Sequence, residues 1–267
     1  KFCQHCGEKR PSRSDLSMQH FFSHALGEML HYDSKIFRTC RLLFTRPGFL
    51  TAEYLRGCRR PYLHPFQVFF IANLIYFLLL PYIGWSGLRT TLAIQTHMMS
   101  YSKFASHMVA ERIAAKGVTL EQFSHSFDHV VDVQARSLVL VMVLLYAFLI
   151  AVLQSRKRQF FGEHLVFSLH FAAFWLTAIM IGIYGAFSLA FQIFRHYGII
   201  IRQFQSDDFI FPLSILVMVS YAFVAWRNVY RDSIPMALLK ASVLAAFFHY
   251  ALDIYRFILF LIALYVS

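Results

Sequence analysis

The feature that most constrains this chain is a set of long apolar stretches with almost no charge. A helix needs about 20 consecutive apolar residues to cross a bilayer core of about 30 Å. Five stretches reach or approach this length: 65–85, 137–153, 164–194, 209–226 and 236–266. The sequence therefore predicts an all-α integral membrane protein with about five transmembrane helices.

Composition and charge agree with this prediction. Hydrophobic residues make up 58% of the chain and charged residues only 15%, whereas soluble domains are about 45–50% apolar and about 25% charged. If the N-terminus is cytoplasmic, the inner pieces 1–64, 154–163 and 227–235 hold 16 of the 25 Lys and Arg residues and +9 of the +11 net charge. Short loops rich in Lys and Arg stay in the cytoplasm, so the C-terminus is expected outside. Anionic lipid headgroups are a sufficient partner for this charge, and nucleic acid is not expected.

We divide the chain into three parts: a partial zinc ribbon at 1–15, cytoplasmic or interfacial amphipathic helices at 16–64, and the transmembrane region at 65–267. Residues 86–136 form an extracytoplasmic loop that we expect to be helical. Thr119 and Gln122 match a capping box, whose helix can run directly into the second span. His125, His129 and Asp132 have a spacing that suits a transition metal, but a solvent-exposed helix is the favoured interpretation.

The N-terminal motif is KFCQHCG, in which Cys3 and Cys6 form a Cys-x-x-Cys knuckle. Two thiolates at this spacing supply half of a tetrahedral structural zinc site. Cys40 and Cys58 lack the spacing of a second pair. The prediction is a structural zinc ion whose remaining ligands lie upstream of Lys1; a redox dithiol is the alternative.

Six arginines occur in residues 38–66, which we call the arginine-rich segment. They are Arg38, Arg41, Arg46, Arg56, Arg59 and Arg60. The favoured interpretation is that they anchor the chain at the level of the lipid phosphates. The alternative is a binding site for an anionic headgroup or a phosphorylated ligand.

The order of these motifs resembles a bacterial membrane family known as domain of unknown function 3667. The motifs are the knuckle, Arg38-Thr39, Pro47-Gly48, a Tyr54-x-x-Gly57-x-Arg59-Arg60-x-Tyr62-x-x-Pro65 pattern, and a second block from Glu163 to His170. The resemblance covers roughly residues 3–180. It implies a zinc ribbon followed by a multi-pass region in the bacterial inner membrane, and it implies no reaction.

Charged side chains inside a membrane are costly and often functional. His249, Asp253 and Arg256 stack on one face of the fifth span, where Asp253 and Arg256 can neutralise each other. A structural ion pair is favoured over a proton or substrate relay. Lys240, near the inner end of the span, is expected to snorkel towards water.

A second polar group opens the third span. Glu163 and His164 lie at its inner mouth, and His170 is two turns deeper. His164 and His170 point in different directions on a regular helix, so we expect His170 to hydrogen-bond a neighbouring helix. Beside Arg59 and Arg60, these residues could form one polar cavity on the cytoplasmic side.

Two functions fit these features. One is a non-enzymatic scaffold, subunit or assembly component of a membrane complex, with lipids and a protein as partners; it is favoured because no nucleophile elbow, phosphate loop or metalloprotease motif occurs in the sequence. The other is a transporter or lipid-handling protein that uses the polar cavity. An intramembrane enzyme is the least favoured alternative, because no carboxylate cluster or His-rich set with repeated ligand spacing is expected at one level of the membrane.

Overall fold

The computed structural model describes residues 32–83, 88–155, 160–197 and 207–267. Its helices, in chain order, are α1 (Tyr32–Thr45), α2 (Phe49–Leu55), α3 (Pro65–Ile83), α4 (Leu92–His97), α5 (Ser102–Lys116), α6 (Leu120–Leu153), α7 (Phe161–Phe174), α8 (Gly185–His196), α9 (Asp207–Tyr230) and α10 (Ile234–Val266). A π-helical segment, Trp175–Tyr184, joins α7 to α8. Among these residues no strand occurs, which confirms the all-α prediction.

Five helices are long and apolar enough to cross a membrane, as predicted. They are α3, α6, the continuous helix Phe161–His196, α9 and α10. With 34 and 33 residues, α6 and α10 are each about 50 Å long at 1.5 Å per residue. Both therefore extend well beyond a bilayer core of about 30 Å.

The helix that begins with α7 lies at the centre of the bundle. It packs against α3 and α6, and also contacts the short helices α1 and α2; α10 packs against α6 and α9. Aromatic rings fill the contact between the central helix and α9: Phe167 meets Trp226 edge to face, and Phe174 stacks on Tyr221. Each of these rings buries a large apolar area, so the contacts stabilise the packing of α9 against the central helix.

The segment between the first two spans folds against the ends of α6 and α10. The capping box predicted at Thr119 is present, and α6 runs without interruption into the second span. The Leu92 backbone N–H donates to Asp128 on α6 over 2.8 Å. The Tyr255 hydroxyl of α10 donates to the backbone oxygens of Leu88 and Ala135 over 3.0 and 3.1 Å, so these bonds tie the segment to both long helices.

Candidate functional site

The arginine-rich segment is docked against the transmembrane bundle through the turn between α1 and α2. Gly48 in this turn has φ +77°, a left-handed conformation that favours glycine. A Cβ on Gly48 would lie 2.6 Å from the backbone oxygen of Ala225 on α9. Asn228, one turn further along α9, donates from Nδ2 to the backbone oxygen of Pro47 over 2.8 Å. Only glycine allows the two backbones to approach so closely.

A buried hydrogen bond joins α2 to the central helix. Thr51 Oγ1 and His170 Nδ1 are 2.9 Å apart, and both residues are buried. This contact confirms that His170 hydrogen-bonds a neighbouring element. Because a buried polar group without a partner is costly, the bond fixes both the depth and the rotation of α2 on the bundle.

Hydrogen bonds within the segment give it a defined shape. The Leu63 backbone N–H donates to Thr39 Oγ1 over 3.1 Å, which ties the start of α3 to α1. Tyr54 Oη lies 2.8 Å from His64 Nε2, and the Arg59 guanidinium lies over the Tyr54 ring, 4.4 Å from its centre. Burial and the Arg59 charge together lower the pKa of His64, so His64 accepts or donates here as a neutral ring.

The arginines lie on the face of the segment that points away from the bundle. All six are exposed, while Thr39, Leu43, Leu50 and Thr51 are buried. Several have local partners: the Arg38 guanidinium lies over the Tyr62 ring, that of Arg46 lies over Phe49, and Arg56 pairs with Glu53 at 2.9 Å.

This division into a buried face and a basic exposed face is the main chemical property of the segment. Its buried residues pack against the bundle, and its exposed guanidinium groups are of the kind that binds lipid phosphates or an acidic surface. The predicted anchoring and anion-binding roles both depend on this exposure.

The polar groups at the inner mouth of the central helix face separate partners. His164 Nδ1 lies 3.1 Å from the Tyr230 hydroxyl on α9, whereas His170 contacts Thr51 on α2. Glu163 is partly exposed at the first turn of α7. The two histidines therefore point in different directions, as their spacing predicts, and the single cavity shared with Arg59 and Arg60 stays a prediction.

The polar group on α10 lies beside the helical segment between the first two spans. Arg256 Nη1 is 3.9 Å from Asp253, the predicted pair, and 3.9 Å from the Met99 sulfur. The His249 ring packs against the rings of Phe211 and Phe248. His249 and His164 both contact α9, but at Phe211 and Tyr230, which lie about 28 Å apart along the helix at 1.5 Å per residue, so the two groups do not make one site.

The prediction that Lys240 snorkels is wrong. Its Nζ lies 2.9 Å from Asp232 and 3.2 Å from Gln154 Oε1, and its side chain is only 14% exposed. Asp232 also accepts from Trp226 Nε1 over 2.9 Å. The lysine is held inside a polar network that connects the C-terminal ends of α6 and α9 to the start of α10. The signal in the sequence was that Gln154 directly follows the apolar stretch 137–153 and that Asp232 lies in the short link between the stretches 209–226 and 236–266.

The metal predictions have different outcomes. Cys3 and Cys6 lie outside the described residues. Within the described ranges, no group of three or more His, Cys, Asp or Glu side chains could hold a metal ion. On α6, Asp132 accepts from Arg89 over 2.7 Å, which favours the exposed helix over a metal site with His125 and His129.

Comparison with known proteins supports the resemblance over part of the chain. No curated protein matches the chain, and no solved structure matches it. Residues 33–77 match the family described as "Protein of unknown function (DUF3667)". The matched residues include α2, most of α1 and α3, and the whole arginine-rich segment, while the block from Glu163 to His170 lies beyond them. The segment that docks on the bundle is therefore the part of this chain that resembles DUF3667.

Proposed function

We propose that this protein is a non-enzymatic scaffold, subunit or assembly component of a complex in the bacterial inner membrane. In this proposal the five helices hold the arginine-rich segment at a fixed place on the cytoplasmic face. The observation that carries it is the docking of α2, which combines the close approach of Gly48 to Ala225 with the buried bond between Thr51 and His170. A segment held in a fixed position on the bundle can present its exposed surface to a partner protein.

The contacts of the buried polar groups also support a structural role. His170, His164 and Lys240 are hydrogen-bonded to Thr51, Tyr230 and Asp232 respectively. The two histidine bonds each join two different helices, and Lys240 also donates to Gln154 at the end of α6, so each group stabilises helix packing. A transport path would instead need such groups to line a common passage.

The proposed contact surface is the exposed arginine face. Arg41 and Arg60 represent it well because both are exposed and lie in different parts of the segment. Guanidinium groups recognise carboxylates and phosphates through paired hydrogen bonds. We therefore propose that this face binds an acidic protein surface while anionic lipids surround it, with the N-terminus in the cytoplasm and the C-terminus outside.

The experiment is to purify the full chain in a mild detergent from its own membrane and to measure the mass of the particle. The double variant Arg41→Gln/Arg60→Gln is compared with the control Arg195→Gln, which removes an exposed arginine on α8. The wild-type chain and the control should run as a complex larger than one chain, and the double variant should run as a smaller particle with an unchanged melting temperature. A single-chain mass for the wild type would contradict the proposal.

Zinc is a separate part of the proposal. Cys3 and Cys6 would supply two thiolates to a structural zinc ion. Metal analysis of the full-length protein should find one zinc per chain, and Cys3→Ser should remove it. A full-length preparation without zinc would refute this part and leave the docking argument intact.

A further inference from the structure

We infer that a groove between α3 and α6 binds one anionic phospholipid, with Arg136 contacting its phosphate. The groove has a volume of about 290 Å³ and is lined by Phe70, Leu74, Phe77 and Leu78 on one side. Asn73, Arg136 and Ser137 supply the polar part of its lining. This inference concerns other residues than the proposed function and does not depend on it.

The apolar wall faces the membrane. Phe70, Leu74 and Leu78 are each more than half exposed, and they belong to a helix that is apolar enough to cross a bilayer. Exposed side chains on such a helix contact lipid chains rather than water. Ligand pockets usually measure about 300–1,000 Å³, so this groove holds part of one acyl chain while the rest stays in the bilayer.

The polar part of the groove contains one arginine. Arg136 is exposed, and its guanidinium has no ion pair or hydrogen bond within the described residues. It immediately precedes the uncharged stretch 137–153, a position at which arginine side chains reach lipid phosphates. A guanidinium beside an apolar groove is complementary to an anionic headgroup attached to an acyl chain.

Asn73 adds a second polar feature. It is 8% exposed, and its Nδ2 donates to the Arg136 backbone oxygen over 2.8 Å, which holds α3 against α6 beside the groove. Its Oδ1 is buried without a hydrogen-bond partner in the part of the chain that the structure describes. The occupant that satisfies Arg136 is a phospholipid with a net negative charge, and phosphatidylglycerol is the probe we choose.

The test measures lipids bound to the purified full chain by native mass spectrometry, after titration with phosphatidylglycerol, phosphatidylethanolamine or phosphatidylcholine. Phosphatidylglycerol should bind most tightly. Arg136→Gln should weaken it by about tenfold or more, the loss expected for one charge-assisted contact, and the control Arg195→Gln should change it less than about twofold.

A second variant keeps the inference testable if Arg136→Gln folds poorly. Leu74→Trp fills the groove with a larger side chain on its lipid-facing wall, so it should reduce binding of the probe while leaving the arginine in place. The inference is overturned if the three lipids bind equally well. It is also overturned if both variants retain phosphatidylglycerol as the wild type does.

Discussion

Replacing Gly48 by alanine tests how the arginine-rich segment is attached to the bundle. Two effects should lower the free energy of unfolding. A left-handed residue with a side chain costs about 1–2 kcal/mol relative to glycine. The new Cβ would lie 2.6 Å from the Ala225 backbone oxygen, whereas ordinary contacts begin at 3.4 Å, so backbone must move by several tenths of an ångström. Overpacking of this kind costs about 1–3 kcal/mol. Together with the conformational contribution, it should lower the free energy of unfolding by about 2–5 kcal/mol.

Gly57→Ala is the matched control. Gly57 also has a left-handed conformation, with φ +91°, but nothing lies within 4 Å of the site of its missing Cβ. Gly57→Ala should therefore lower the free energy of unfolding only by the conformational contribution, about 1–2 kcal/mol. The assay is thermal melting of the full chain in one detergent for the wild type and both variants. If Gly48→Ala melts no lower than Gly57→Ala, the close approach to α9 does not stabilise the protein and the reasoning is refuted.

Three further predictions concern single side chains. Thr51→Val removes the partner of buried His170 and should cost about 1–3 kcal/mol in melting experiments; an unchanged melting temperature would mean that the bond contributes nothing. Lys240→Met leaves Asp232 buried without its cation and should cost about 3–5 kcal/mol, a prediction that fails if the variant melts like the wild type. Because the pKa of His64 is lowered in the folded protein, the unfolded chain binds more protons at this residue, so the contribution of His64 to stability is fully present above about pH 6.5 and is lost as the pH falls through the folded pKa. His64→Gln should flatten this dependence of the melting temperature on pH, and an equally steep profile would contradict it.

The sequence could predict the features that depend on local spacing. Apolar length identified the five spans because the thickness of a bilayer sets that length. The capping box at Thr119 and the pair of Asp253 with Arg256 follow from separations of three residues within one helix.

Long-range contacts could not be predicted in this way. Nothing in the sequence around Pro47 and Gly48 shows that the backbone of Ala225 lies against this part of the chain. Lys240 seemed free to reach water because its partners come from the end of α6 and from the loop before α10. In each case the chemistry is decided by helices that meet only after the bundle has packed.

Hydrogen exchange in residues 52–55 tests the central claim most directly, namely that the bundle holds the arginine-rich segment rigidly. The full chain would be studied in lipid nanodiscs, with the amides of α7 as an internal reference. The docked structure predicts slow exchange for the amides of residues 52–55, the hydrogen-bonded part of α2, which begins with the bond from the Ala52 N–H to the Gly48 oxygen. Their exchange should be comparable with that of α7 and should increase greatly in Gly48→Ala but not in Gly57→Ala. Rapid exchange of these amides in the wild-type protein would contradict the claim.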